Sequence, residues 1–412
     1  GMIGFSCYVL ADSYFISIAK GADGLTALNL VMPLYSIIFS IGEMIGVGSA
    51  IRYAISKIKK DADADDYFWN AIIWCIMSSM IFVFAGIFFS SDIMRVLGAD
   101  EHIVAVGNNY TKIFMCFAPM FMCNYVTNAF VRNDGAPGIA MSATLFSSLF
   151  NIVFDYILMF PMNLGMEGAA LATALSPIIG MGICSIHFFS KKSSVRLVVC
   201  KPSVRKLVAG SQLGVSAFVG EMSSAVITLA FNFVILKLTG NVGVAAYGVV
   251  ANIAIVTTAV FNGVAQGSQP LISSCFGRGD KDGCTQLKRM GYTTAFVLAA
   301  VMYSILFIFA GQFVAVFNSE GSEMLRLYAT EGVKLYFIGI FFAGINIVGG
   351  GAFSATEDAF KAAVVSVARG FVLILGAVFV MSALFGMTGV WLAYAVAEGI
   401  TTFIMLVMVL RV

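Results

Sequence analysis

The sequence is dominated by twelve apolar stretches, each long enough to cross a lipid bilayer as an α-helix. A helix needs about 20 mostly apolar residues to span the hydrocarbon core. Charged residues make up 11% of the chain and its mean hydropathy is +0.94, whereas about 25% of the residues of a soluble domain are charged. The stretches cover 2–19, 25–51, 68–90, 108–131, 139–160, 166–189, 207–236, 244–276, 290–317, 328–353, 362–385 and 387–410. We therefore predict an all-α polytopic membrane protein with twelve transmembrane helices.

A polar stretch at 190–206 divides the spans into two sets of six. It holds six lysines and arginines, which favour a loop outside the bilayer over a further span. We predict an N-terminal six-helix lobe over 1–189, whose first helix is truncated at its start, a linker over 190–206, and a C-terminal six-helix lobe over 207–412.

Two short motifs recur at nearly the same distance along the chain. The segment 21–27 is echoed at 240–246, an offset of 219 residues, and the segment 165–168 at 386–389, an offset of 221. Each copy holds six spans, an even number, so the two copies must have the same orientation in the membrane. This is the parallel internal repeat of many secondary transporters.

The lysines and arginines are unevenly distributed between the two sides of the predicted membrane domain. Of 24, 18 fall in or beside the loops after spans 2, 4, 6, 8 and 10 or at the C-terminal end, which leaves 6 for the other side. Positive residues stay in short cytoplasmic loops. We therefore predict that the linker and both termini are cytoplasmic in a multi-pass protein of the cell (inner) membrane.

Five carboxylates lie inside apolar spans, namely Asp12, Glu43, Asp155, Glu221 and Glu398. An acid at the bilayer centre costs about 3 kcal/mol on insertion scales, and such acids usually mark ion or substrate pathways. The alternative is a hydrogen bond between helices that only packs the bundle. That alternative is weaker for the two aspartates, and the three glutamates are candidate secondary acidic sites.

Asn151 and Asp155 are four residues apart, which places both side chains on one face of a helix. The amide and the carboxylate then offer two oxygen ligands that point the same way. Hard cations select oxygen donors, so this face can hold a sodium ion or, with the carboxylate protonated, a proton.

Several function classes lack the residues that they require. The sequence contains no Walker A pattern GxxxxGK[ST] for ATP hydrolysis and no GxSG or GxGD motif of an intramembrane protease. His102 and His187 have no partner at metal-ligand spacing. The formal net charge is +2, and no basic stripe is dense enough to bind several phosphates. We expect a protein that is not an enzyme, binds no nucleic acid and has no cofactor besides a coupling ion.

Seven short motifs resemble, in order and spacing, those of the multidrug and toxic compound extrusion (MATE) family of cation-coupled antiporters. They lie at 11–16, 27–31, 46–50, 151–155, 168–173, 245–247 and 267–270. The first two resemble the end of helix 1 and the start of helix 2 in that family, and those at 151–155 and 168–173 resemble its helices 5 and 6. The resemblance covers essentially the whole chain.

The resemblance implies a cation site in the N-terminal lobe, formed by Asp12, Asn151, Asp155 and Thr173, with Na⁺ or H⁺ as the coupling ion. It also implies export of lipophilic, often cationic, drugs or toxic organic compounds by alternating access. We expect a monomer whose partners are these small substrates and the lipid bilayer.

A lipid-linked oligosaccharide flippase of the same superfamily is the alternative function. Such a protein would favour a strongly cationic central cavity for its pyrophosphate substrate. Arginines and lysines within the spans are scarce, and Arg369 is the clearest of them.

Overall fold

The computed structural model describes residues 2–317 and 322–410, apart from the side chains of residues 2–10, 22, 225, 241, 316, 317 and 410. Every regular element within these residues is a helix. The α-helices are α1 (Met2–Ile58), α2 (Asp66–Val96), α3 (Glu101–Cys116), α4 (Ala118–Asn133), α5 (Pro137–Met159), α6 (Gly165–Phe188), α7 (Val204–Gly277), α8 (Lys281–Ile308), α9 (Ala310–Phe317), α10 (Glu323–Tyr336), α11 (Ile340–Ala355), α12 (Ala359–Val367) and α13 (Leu373–Leu410). A 3₁₀ turn (Phe337–Gly339) joins α10 to α11, and a π-helical turn (Ala368–Val372) joins α12 to α13. The predicted all-α fold is confirmed.

Three of these helices each join two predicted spans through one glycine. The breaks are at Gly21 (φ 60°, ψ −144°) in α1, Gly240 (φ 66°, ψ −156°) in α7 and Gly386 (φ 59°, ψ −136°) in α13. This backbone conformation is essentially restricted to glycine, because a Cβ would clash with the backbone. Glycine at these positions therefore lets one span follow another without a longer loop.

The predicted spans account for the helices of the described residues. Nine stretches there are long and apolar enough to cross a membrane, or ten if α3 and α4, which meet at an angle of 46°, form one bent span. One of the nine, Ala359–Val409, is 51 residues long and contains the last two predicted spans on either side of Gly386. The part of α1 before Gly21 is the remaining predicted span.

The backbone repeats the internal duplication that the sequence predicts. Residues with positive φ in the first half have counterparts in the second at offsets of 219 to 222 residues. The pairs are Gly21 with Gly240, Lys60 with Gly279, Gly135 with Glu357, and Gly165 with Gly386. Two of the pairs match a glycine with a charged residue, so the backbone conformation is kept where the residue type is not.

The chain folds into two compact units, Gly1–Phe218 and Val219–Val412. The predicted linker lies in the first unit, where residues 191–203 run without helix until α7 begins at Val204. Two side chains of the helices hold it there, since the Ser203 backbone N–H donates to Asn70 Oδ1 at 2.6 Å and that of Ser194 donates to Asp134 Oδ2 at 2.8 Å. The linker is thus an ordered strap on the first unit.

Each unit has an aromatic core. In the first unit Tyr35 stacks on Phe114 with ring centroids 3.7 Å apart, and in the second Tyr336 stacks on Tyr394 at 4.4 Å. Large apolar side chains such as Phe88 also remain exposed. Exposed apolar faces of this extent suit a lipid environment, because water would oppose them.

Candidate cation-binding site

Two aspartates meet inside the first unit. Asp12 lies on α1 and Asp155 on α5, with 5% and 0% of the residue exposed, and the two carboxylates are close enough to interact electrostatically. One oxygen of each carboxylate, Oδ1, is buried without a hydrogen-bond partner. A buried carboxylate oxygen that lacks a partner is costly, so the pair is suited to receive a cation or protons.

Asn151 connects Asp155 to α6. Its side-chain amide lies one helical turn before Asp155, 3.2 Å from Asp155 Oδ2 and 3.2 Å from Thr173 Oγ1. The orientation that satisfies both neighbours has Asn151 Nδ2 donating to Asp155 and Oδ1 accepting from the Thr173 hydroxyl. The structure therefore brings together all four residues that the sequence selected.

Tyr110 belongs to the same group, although the sequence did not point to it. Its hydroxyl on α3 lies within hydrogen-bonding reach of the Asp12 carboxylate, and it also hydrogen-bonds the Tyr35 hydroxyl on α1. A buried tyrosine hydroxyl needs a polar partner. That need was the available signal, but it does not tell which of the 14 tyrosines faces an acid.

The donors of this group restrict what it can bind. They are two carboxylates, an amide and hydroxyl groups, and no basic side chain forms an ion pair with Asp12 or Asp155 among the described residues. The described residues also contain no group of three or more His, Cys, Asp or Glu that could hold a metal ion. Oxygen donors favour a hard cation such as Na⁺, or a proton shared between the acids.

Glu398, one of the candidate secondary acidic sites, has a different environment in the second unit. Arg369 donates to its Oε1 from Nη2 at 2.6 Å and from Nε at 3.1 Å, and Asn346 Nδ2 donates to Oε2 at 2.7 Å. Only 2% of Glu398 is exposed. The sequence showed an acid and a base in two separate spans, but helical spacing could not reveal that they pair.

The other two candidate acids lie apart from these groups. Glu43 is buried on α1 and interacts electrostatically with Arg132 of α4. Glu221, in α7, is half-buried and forms no ion pair among the described residues. The structure does not join either glutamate to the aspartate pair.

Comparison with known proteins identifies the family. The family model for MatE matches residues 1–157 and 217–380. The chain belongs to the MatE family. The family match and the protein relatives below confirm the predicted multi-pass membrane transporter, rather than an enzyme.

MatE relatives share the length of the chain as well as the family. The chain is 28% identical to the multidrug export protein MepA of Staphylococcus aureus (strain MRSA252), over 95% of this chain and 87% of the relative. It is 27% identical to MepA of Staphylococcus saprophyticus over the same shares. The alignment therefore includes both predicted lobes.

Solved MatE structures have the same fold. A multidrug resistance MATE family transporter of the MOP superfamily, in an outward-facing conformation, matches with a TM-score of 0.92 and 20% identity, over 100% of this chain and 93% of the other. A MOP superfamily transporter from Pyrococcus furiosus, described as having a binding pocket of reverse polarity, matches with a TM-score of 0.90 and 20% identity, over 99% and 92%. These matches confirm the predicted twelve-helix fold.

Proposed function

We propose that this MatE protein is an antiporter that exports lipophilic, often cationic, organic compounds in exchange for Na⁺ or H⁺ bound between Asp12 and Asp155. The observation that carries the proposal is the pair of buried carboxylates, each with one oxygen that lacks a partner. The names of the relatives, multidrug export proteins, support the choice of substrate.

The coupling follows from charge. Two adjacent carboxylates in a low-dielectric interior repel each other, and a bound cation or a proton relieves that repulsion. If the occupied and empty sites favour different conformations, the ion changes the affinity for the drug, and the drug changes the affinity for the ion by the same factor. Alternating access by two lobes, 1–189 and 207–412, would turn this linkage into exchange across the membrane.

The remaining parts of the proposal concern the setting. We place the protein in the cell (inner) membrane as a monomer with both termini cytoplasmic. The support is the 18-to-6 distribution of lysines and arginines. Na⁺ and H⁺ both remain open as the coupling ion, because carboxylate, amide and hydroxyl oxygens suit Na⁺ while a carboxylate pair can also share a proton.

The flippase alternative is disfavoured by the state of Arg369. A pyrophosphate group would need a guanidinium that is free to bind it. The guanidinium of Arg369 is instead neutralised by Glu398 through hydrogen bonds from two of its nitrogens. The clearest basic residue within the spans therefore adds no net positive charge to its surroundings.

Efflux from cells tests the proposal. Cells that express the full chain should extrude a lipophilic cationic dye, and the efflux should collapse when a Na⁺ ionophore or a protonophore removes the driving gradient. Asp155→Asn should abolish efflux while membrane insertion is kept, because the amide has the shape of the carboxylate without its charge. Asp23→Asn is the matched control, since Asp23 is an exposed acid of the same helix as Asp12. Binding of anionic lipid-linked sugars without any binding of cationic dyes would replace this proposal by the flippase.

A further inference from the structure

We propose that Arg369 acts as a tethered cation in the second unit, where its guanidinium permanently fills a cation site formed by Glu398, Asn346 and Thr402. This second site then takes up no ion during transport, and the first unit alone exchanges ions. The comparison between the units rests on the proposed function, but the test of the second site does not.

The second site is a chain of three polar side chains. The Thr402 hydroxyl donates to Asn346 Oδ1 at 3.0 Å, and Asn346 Nδ2 donates to Glu398 Oε2 at 2.7 Å. All three residues are buried. Threonine and glutamate come from α13 and asparagine from α11, so two helices hold the donors in place.

The first unit contains the same chain of groups. There the Thr173 hydroxyl donates to Asn151 Oδ1, and Asn151 Nδ2 donates to the Asp155 carboxylate, each over 3.2 Å. A hydroxyl, an amide and a carboxylate are therefore connected in the same order and with the same hydrogen-bond directions in both units. Oxygen donors of these three kinds together suit a hard monovalent cation.

The internal repeat does not explain the likeness. An offset of 219 to 221 residues would carry Asn151 to positions 370–372, on the other side of the bundle's sequence order from Asn346. The donors of the first unit lie on α5 and α6, and those of the second on α11 and α13. The same arrangement has thus been built twice on different helices, which favours a shared chemical use over inherited packing.

The two sites differ in the fourth group. In the first unit it is a second carboxylate, Asp12, and one oxygen of each acid lacks a partner. In the second unit it is Arg369, which leaves both oxygens of Glu398 hydrogen-bonded. A guanidinium stays charged at every physiological pH. The charge that the first site must borrow from an ion is therefore covalently attached in the second.

Backbone geometry delivers the guanidinium to this position. Arg369 lies in the π-helical turn Ala368–Val372, between α12 and α13. Turns of this kind in α-helices often occur at functional sites, because they redirect side chains that a regular helix would point elsewhere.

Removal of the tethered cation gives a direct test. The full chain is purified in detergent in an Asp12→Asn/Asp155→Asn background, which disables the first site, and binding of radioactive Na⁺ is measured. We expect no saturable Na⁺ binding in this background. Adding Arg369→Ala should create saturable binding, because Na⁺ enters the vacated position. Adding Glu398→Gln to that variant should remove it again, with at least a tenfold loss of affinity.

Arg369→Lys is the matched control. It keeps a positive charge at the same position and should leave the background without Na⁺ binding. The inference is wrong if Arg369→Ala creates no saturable Na⁺ binding, or if the binding persists after Glu398→Gln. Failure of Asp12→Asn/Asp155→Asn to lower Na⁺ binding in the otherwise wild-type chain would count against the proposed function and not against this site.

A second variant covers the case in which Arg369→Ala does not fold. Arg369→Met/Glu398→Gln removes both charges together, a change that folded proteins often tolerate. With the first unit intact, this variant should bind as many Na⁺ ions per chain as the wild type. A loss of Na⁺ per chain would show that Glu398 normally takes up an ion, contrary to the inference.

Discussion

Asn151 lies between Thr173 and Asp155, with its side-chain amide 3.2 Å from a side-chain oxygen of each. The amide thereby ties α6 to α5 and fixes the direction of the Asp155 carboxylate. Thr173 contributes a neutral oxygen, which matters more for Na⁺ than for a proton.

Thr173→Val should therefore distinguish the two coupling ions. Valine has the shape of threonine but no hydroxyl, so Na⁺ would lose about 1 kcal/mol of binding, or roughly fivefold in affinity. Thr173→Ser keeps the hydroxyl and serves as the control. Transport that depends on Na⁺ should show the loss in a titration of Na⁺, whereas an unchanged response of both variants would exclude the threonine oxygen as a Na⁺ ligand.

Tyr110→Phe should weaken ion binding without unfolding the first unit. The ring packing is kept, but the Asp12 carboxylate loses a hydroxyl within hydrogen-bonding reach. Hydrogen bonds to charged groups contribute about 1.5–3 kcal/mol, so we expect at least a tenfold loss of ion affinity. Tyr156→Phe, at an exposed tyrosine of α5, is the control. Equal ion dependence of both variants would remove Tyr110 from the site.

Glu398→Gln should destabilise the second unit strongly. It leaves the Arg369 guanidinium buried without its counter-charge, which costs about 3–5 kcal/mol in comparable pairs. Thermal unfolding in detergent should show a large fall in melting temperature. Glu323→Gln breaks the exposed pair with Arg326 in the same unit and should change it little. Similar effects of the two substitutions would contradict the description of Glu398 as a buried, paired acid.

Gly240→Ala should cost about 1–3 kcal/mol through backbone strain alone. A Cβ at Gly240 would meet no atom within 4 Å, so the cost comes from its φ of +66° and not from crowding. Gly248→Ala is the matched control in the same helix, because a Cβ there also meets nothing within 4 Å and φ is ordinary. Unfolding measurements in which both variants are equally stable would contradict the break at Gly240.

The charge distribution predicts the orientation of the linker. Lys192 and Met162 are both exposed, the first in the linker and the second in the loop after the fifth predicted span. With the native cysteines replaced, Lys192→Cys should react with a membrane-impermeant reagent only in inside-out vesicles, and Met162→Cys only in intact cells. The reverse pattern would overturn the predicted orientation.

Hydropathy was enough to predict the number of helices, because a bilayer demands long apolar runs. It could not predict where the helices end. Helix α1 continues to Ile58, although the apolar run stops at 51, because hydrogen bonding continues into polar residues outside the apolar core. The glycine breaks were visible as repeated motifs, but the continuous α-helix on either side of each glycine was not.

The candidate site was predictable as far as isolated acids could show it. Asp12 and Asp155 stood out because few carboxylates occur in apolar spans, and Asn151 followed from helical spacing. The contributions of Tyr110 and Arg369 depend on contacts between segments far apart in sequence. A single sequence carries no distance information of that kind, so these partners became visible only in the folded chain.

Ion-driven transport by purified protein in proteoliposomes tests the central claim most directly. A Na⁺ or H⁺ gradient is imposed, and exchange for a lipophilic cationic dye is followed for the wild type, Asp12→Asn, Asp155→Asn and the exposed control Asp23→Asn. We predict gradient-driven dye transport by the wild type and the control, and none by the two buried-site variants. Wild-type rates and wild-type ion dependence in both Asp12→Asn and Asp155→Asn would contradict the assignment of the coupling site to the first unit.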